Sequence, residues 1–276
     1  MWIQSVIARL GGAVSRMLAY VGPEPANVAA TLGDDVLASF AALSRVHADG
    51  WGAGWRTERG VAAKVAPGRP ATCHALARAV RVPATAALLY LRFGSAGSGL
   101  SEREAQPFLF GDEVFEHNGA LAPADRLRDA LTDDERATLR GTNDSELYFA
   151  RLRRAITPGT DVDPTRIADA VADVRASYPE ASLNALLLTP TALVAVHSSA
   201  GRPAPLAAFA ARGLDLAALP PGHGDGYNVL FTRRTASGAR LVATTGIPLD
   251  GWTPLPENTV SLVTPGSVAS TPIPSA

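Results

Sequence analysis

Ser15 stands at the leading edge of an apolar run, Arg16-Met17-Leu18-Ala19-Tyr20-Val21, which reads as a short buried strand closed by a Gly22-Pro23 turn. Three later polar clusters, around Arg92, Asn118 and Asp144, make chemical sense mainly if they converge on that hydroxyl. Each has an ordinary explanation when taken alone. Arg92 is then a strand-end arginine in a surface ion pair, Asn118-Gly119 a hairpin turn and Asp144 a helix N-cap. Together they pose one question: whether Ser15 is a nucleophile.

The elements that must position these residues are legible in outline. Asp34-Asp35 offers an N-cap to an amphipathic helix running to about Ser44. In His47-Ala48-Asp49-Gly50-Trp51-Gly52-Ala53-Gly54-Trp55 the glycines alternate with larger residues, so one strand face lets another backbone or a ligand approach closely. Val61 to Val65 is its hairpin partner. Cys73 to Arg81 is helical in pattern, Ala86 to Phe93 is a buried strand broken only by Arg92, and Gly94 to Gly99 is a loop. Glu113 to His117 is a strand running straight into Asn118-Gly119. Residues 121–154 are mostly helical, interrupted by Gly141-Thr142-Asn143-Asp144-Ser145-Glu146, and a helix runs from Pro164 to Ser177. Strands follow at Leu183–Leu188, Ala192–His197, Asn228–Thr232, Arg240–Ala243 and Thr259–Val263, with loops at 201–205 and 219–226. Strands, then helices, then strands predict an α+β layered fold in one domain, residues 15–264, with a disordered tail over 265–276.

Composition narrows the function classes. The 276 residues are 47% hydrophobic and 18% charged, with a formal net charge of −1, which gives no electrostatic case for nucleic acid or an anionic membrane. No run approaches the roughly 18–20 apolar residues that cross a bilayer. The single cysteine, Cys73, excludes an internal disulfide and a cysteine-rich zinc site, and makes the cytoplasm the default compartment. His47 and Asp49 are two apart and the other histidines are scattered, so neither metal nor cofactor is expected; dinucleotide and Walker fingerprints are absent.

Five motifs occur in one order: Ser15-Arg16-Met17-Leu18-Ala19-Tyr20, His47-x-Asp49-Gly50-Trp51-Gly52, Arg92-x-Gly94-Ser95, His117-Asn118-Gly119 and Asn143-Asp144-Ser145-Glu146. With Leu183–Ser198 they resemble the class II glutamine amidotransferases, of the N-terminal-nucleophile hydrolase fold, over residues 15 to 263. The nearest-looking branch is the stand-alone γ-glutamyl amidases, including the ergothioneine-pathway enzyme. The resemblance implies a four-layer αββα sandwich and a γ-glutamyl substrate. Ser15 would be the nucleophile, with its own α-amine as general base. Arg92 would hold the substrate α-carboxylate with Ser95 nearby, and Asp144 the α-ammonium. The Asn118 side-chain amide and the Gly119 N–H would form the oxyanion hole. No ammonia-accepting domain is visible, so the protein either hydrolyses a conjugate itself or works with a separate ammonia-using or pathway partner.

The departures from that family are equally specific. Its nucleophile is cysteine, where this chain has Ser15; histidines are usual where Tyr90 and Gln106 stand, and an alanine and a threonine where Gly94 and Ser95 stand. Residues 1–14 precede Ser15, whose nitrogen is then an amide and no base. Three resolutions stay open: a true start at Val14 as a GTG initiator followed by trimming, removal of a propeptide, or a homologue that has lost catalysis and kept its pocket. His117 is expected to be structural, His47 and Asp49 to buttress the glycine-rich strand, Trp51 and Trp55 to be core or pocket wall, and Cys73 to be inert.

Overall fold

The computed structural model describes residues 14–70, 75–80, 82–94 and 101–275. Two antiparallel sheets form the middle of the molecule. The strands are β1 (Arg16–Ala26), β2 (Gly50–Thr57), β3 (Gly60–Pro67), β4 (Ala84–Arg92), β5 (Phe108–Phe110), β6 (Glu113–Asn118) and β7 (Asn184–Leu188). Then come β8 (Leu193–His197), β9 (Leu230–Arg234), β10 (Arg240–Thr244), β11 (Thr253–Pro254), β12 (Thr259–Val263) and β13 (Val268–Pro272). Sheet A has the order β11-β9-β10-β1-β4-β2-β3, and sheet B the order β13-β12-β8-β7-β6-β5. Helices are α1 (Val28–Leu32), α2 (Asp34–Ala42), α3 (Ala75–Ala79), α4 (Asp125–Asp129), α5 (Asp133–Ala137), α6 (Asp144–Arg153), α7 (Pro164–Ser177) and α8 (Leu206–Ala211).

Period-two alternation sorts the core into three layers. Met17, Ala19, Leu88 and Tyr90 of sheet A face Val114, Leu186, Leu188 and Ala195 of sheet B. Leu18, Tyr20, Leu89 and Leu91 point the other way, onto α1, α2 and α3. Phe115, Ala185, Leu187 and Val194 point outward from sheet B onto α6 and α7. This is the expected αββα sandwich. The glycine-rich strand admits close approach as anticipated, of backbone at Gly52, where a Cβ would lie 2.2 Å from the Gln106 carbonyl oxygen, and of a side chain at Gly54, where it would lie 2.4 Å from Val114 Cγ1. Trp51 and Trp55 turn to the helical side and, partly buried, pack against the core there.

Several elements differ from expectation. The strand from Arg16 does not stop at Gly22-Pro23 but continues to Ala26, its register against β4 shifting between Val21 and Ala26 where the prolines withdraw their donors. The residues after it form α1, capped by the Asn27 side chain on Ala29 N–H. Asp34 and Asp35 sit in the first turn of α2, with Gly33 at the N-cap. The tail is not disordered. Val268–Pro272 pairs along β12, and the hairpin is closed where the Thr264 and Ser267 hydroxyls and backbones bond each other. Its small, polar residues suit an exposed edge strand, which has no hydrophobic signature to read. Cys73 and the Gly94–Gly99 loop beyond Gly94 lie outside the described residues.

Because the Gly52 contact is with backbone, it cannot relax as a flexible side chain would. Gly52→Ala is expected to cost about 1–3 kcal/mol and to lower the melting temperature by several degrees. Gly224→Ala, which meets nothing within 4 Å, should leave the thermal transition in place.

Candidate active site

Ser15, Tyr90, Arg92, Glu116 and Asn118 all fall on inward faces at one end of the inter-sheet layer, and all five are buried. The Ser15 N–H donates to Asn118 Oδ1 at 2.7 Å, joining sheet A to sheet B at the strand ends. Among the described residues Asn118 Nδ2 has no partner, although it is fully buried. The Ser15 hydroxyl oxygen lies 2.6 Å from the Tyr90 hydroxyl and 3.4 Å from the Phe93 N–H. The Tyr90 oxygen accepts from Gln106 Nε2 at 2.9 Å and lies 3.2 Å from the His117 carbonyl oxygen. Burial pushes the Tyr90 phenol up, against the Ser15 hydrogen bond and the Arg92 charge, so it stays protonated.

Gly119 is a steric necessity: a Cβ there would lie 2.0 Å from the Ser182 carbonyl oxygen and 2.6 Å from His117 Nε2. His117 is locked behind this turn. Its Nε2 sits 2.9 Å from the Ser182 carbonyl and must carry the proton, so Nδ1 accepts from the Ser145 hydroxyl at 2.8 Å. Burial lowers its pKa, partly countered by Asp144, and the ring is a neutral strut. Asp144 is not the N-cap of α6; Asn143 takes that place, accepting from Ser145 N–H at 2.9 Å. That leaves the Asp144 carboxylate to accept from Leu121 N–H at 2.6 Å and Ser145 N–H at 2.9 Å, over the chain that leaves Gly119. Arg92, at the end of β4, packs over Gly50 and sends its charge to the Tyr90 hydroxyl. Ser95 lies outside the described residues.

Asp49 and His47 serve different ends. Asp49 accepts from Gly94 N–H at 2.7 Å and pairs with Arg212 at 2.5 Å, clamping the chain just past Arg92. His47 instead meets His223, Nε2 to Nε2 at 3.0 Å, in an aromatic cluster with Phe93, Phe209 and Tyr227. One ring must donate and the other accept, since a second proton would set two donors face to face. Burial, reinforced by Arg16, holds His47 well below the usual range and His223 down to about 3. Arg16 is wholly buried, donates to the Tyr227 carbonyl at 3.1 Å and lies 3.6 Å above the Tyr227 ring. Sequence reasoning assigned nothing to Arg16, His223 or Tyr227, because their partners are some 180 to 210 positions away in the chain.

Comparison with known proteins agrees with this architecture. The profile of the family described as glutamine amidotransferases class-II matches residues 26–271. The chain belongs to that family. Ser15 lies ahead of the matched segment. Among solved structures, a glutamine aminotransferase class-II domain protein from Silicibacter pomeroyi superposes with a TM-score of 0.58 at 19% identity, over 94% of this chain and 99% of that one. The glutamine phosphoribosylpyrophosphate amidotransferase of B. subtilis, solved with ADP and GMP, gives 0.59 at 14% identity over 94% of this chain and 49% of its own. A predicted glutamine amidotransferase from Pseudomonas aeruginosa gives 0.51 at 17%, over 93% and 100%. No curated protein matches. Among the described residues no helix is long and apolar enough to cross a membrane.

Glu116 has no counterpart in the sequence reading. Both its carboxylate oxygens are buried without a partner among the described residues, and burial raises its pKa well above the usual carboxylate range. The folded chain therefore keeps a proton that the unfolded chain releases near pH ~4.3. Stability falls as pH rises from there through the raised folded value, by at most about 1.4 kcal/mol per pH unit. Denaturant titrations of the native protein and Glu116→Gln should diverge across that window, with the variant gaining as pH rises and the gap closing below it.

Proposed function

We propose that the protein is an amidohydrolase that cleaves a γ-glutamyl amide, with Ser15 as nucleophile once its nitrogen is a free amine. The observation carrying the reading is Asn118. One end of its side chain holds the Ser15 nitrogen at 2.7 Å while the other is a buried donor without a partner among the described residues. Nucleophile, base and oxyanion donor then share one residue as their reference point.

In this reading the Ser15 oxygen attacks the γ-carbonyl carbon, its proton passes to the α-amine, and the oxyanion takes the Asn118 amide and the Gly119 N–H. The amine then protonates the leaving nitrogen, the C–N bond breaks, and water hydrolyses the γ-glutamyl ester. An α-amine titrating near ~7.7–8.0 is close enough to neutrality for both steps. Arg92 and Asp144 anchor the substrate α-carboxylate and α-ammonium. The stand-alone γ-glutamyl amidases, which hydrolyse a conjugate without an ammonia acceptor, are the branch we favour. A partner that uses ammonia is the alternative arrangement.

A non-catalytic homologue that binds a glutamyl ligand is the second reading. What favours it is Val14, which is buried, its carbonyl oxygen 3.5 Å from the Tyr227 hydroxyl, and joined to Ser15 by a peptide bond. Intact-mass analysis of the protein from its native host separates the two. A mature chain beginning at Ser15 that releases ammonia or amine from γ-glutamyl amides fits catalysis; retention of Val14 refutes the N-terminal-nucleophile mechanism. In the active chain Asp144→Asn and Arg92→Ala should each raise KM by about 10- to 100-fold, the worth of one charge-assisted contact. Ser15→Ala should abolish turnover while glutamate still binds.

A further inference from the structure

Ser15, Tyr90 and Gln106, three residues at which this chain departs from the class II pattern, form one hydrogen-bonded chain. The His117 N–H donates to Gln106 Oε1 at 2.6 Å, and a backbone N–H can only donate, so the Gln106 amide is fixed with its Nε2 toward Tyr90. That N–H occupies one side of the Tyr90 oxygen. The single phenolic proton is left with two acceptors, the Ser15 oxygen at 2.6 Å and the His117 carbonyl oxygen at 3.2 Å. The shorter distance is that of a strong hydroxyl–hydroxyl bond, the longer that of a weak one.

We propose that Tyr90 is a catalytic hydrogen-bond donor to the Ser15 oxygen, and that Tyr90 and Gln106 fit this pocket to an oxygen nucleophile rather than a sulfur one. This rests on the hydrolase reading above. When the ester breaks, the electron pair of the C–O bond returns to the Ser15 oxygen. The Tyr90 O–H and, at 3.4 Å, the Phe93 N–H face that developing charge. The proton that finally neutralises the oxygen comes from the α-ammonium; Tyr90 stabilises the charge without giving up its own proton. As a phenol protonated throughout the assay range, it is a donor and never a base. A thiolate would gain little here. Sulfur is a weak acceptor, and the larger atom on its longer bond would be pressed against a hydroxyl that stands 2.6 Å from the oxygen it replaces.

The test is a double-mutant cycle between Ser15→Cys and Tyr90→Phe, read as L-glutamine hydrolysis and as covalent labelling by 6-diazo-5-oxo-L-norleucine, with the mature N-terminus checked by mass. In the serine enzyme Tyr90→Phe should lower kcat and the labelling rate by about 10- to 100-fold with KM little changed. In the Ser15→Cys enzyme the same change should leave the rates unchanged or raise them, because it removes the crowding oxygen. An equal loss in both backgrounds makes Tyr90 a packing residue and overturns the proposal. Proton NMR gives a reading independent of turnover: a low-field, slowly exchanging hydroxyl resonance lost in both Tyr90→Phe and Ser15→Ala. Its absence from the unsubstituted protein also overturns the proposal. A protein that shows the resonance but neither labels nor hydrolyses glutamine refutes the hydrolase reading and the catalytic role with it, and leaves the hydrogen bond standing.

Discussion

The hydrogen bond from the Ser15 nitrogen to Asn118 Oδ1 crosses from one sheet to the other, and most of the site's geometry depends on it. Two sheets in face-to-face packing are normally about 10 Å apart, too far for main chain on one to meet a short side chain on the other. Gly119 lies against Ser182 and His117 at the end of sheet B, while the two layers converge because Gly52 and Gly54 admit the Gln106 backbone and Val114. Those glycines set how far the strand ends close. The bond then fixes Ser15 relative to the Asn118 amide, while Arg92 and Asp144 ride on the ends of β4 and α6.

Parts of this were legible in the chain because they are local. The glycine alternation in β2, the apolar run ending at Arg92 and the Asn118-Gly119 turn after β6 each follow from period-two patterning and turn chemistry. The prolines helped at α7, whose bounds the sequence marks with Pro164 at N1. What escaped was long-range or weakly patterned. Asp144 reads as a cap, yet Asn143 one residue earlier has the same capability and takes the role, which releases Asp144 toward Leu121. The five-residue α1 is too short to show a helical period, and β13 is too polar to look like a strand.

Polar groups buried without full partners are concentrated at this end of the sandwich: Asn118, Glu116, Arg16, and the His47–His223 pair behind it. Each costs stability that a hydrophobic residue would not. Arg16 is the clearest case, a buried cation met by one carbonyl and an aromatic face, with its Nε and Nη2 left without partners among the described residues. Arg16 adjoins Ser15 in the chain, and in the proposed active form its positive charge would disfavour a second one on the freed Ser15 amine. Burial, reinforced by the same field, holds the two histidines neutral.

The residues around the Ser15 oxygen follow the same logic at shorter range. A hydroxyl is a poor nucleophile because its conjugate base is too unstable, and an enzyme can correct that with a stronger base or with better stabilisation of the oxygen's charge. In the proposed hydrolase, the hydrogen bonds to the Ser15 oxygen supply the second route. Gln106 is oriented by main chain, Tyr90 by Gln106, and the oxygen by Tyr90, so each member is fixed by the one behind it. Changing residue 15 alone would leave the rest of that chain matched to the wrong atom. Ser15, Tyr90 and Gln106 therefore form one structural unit in three places.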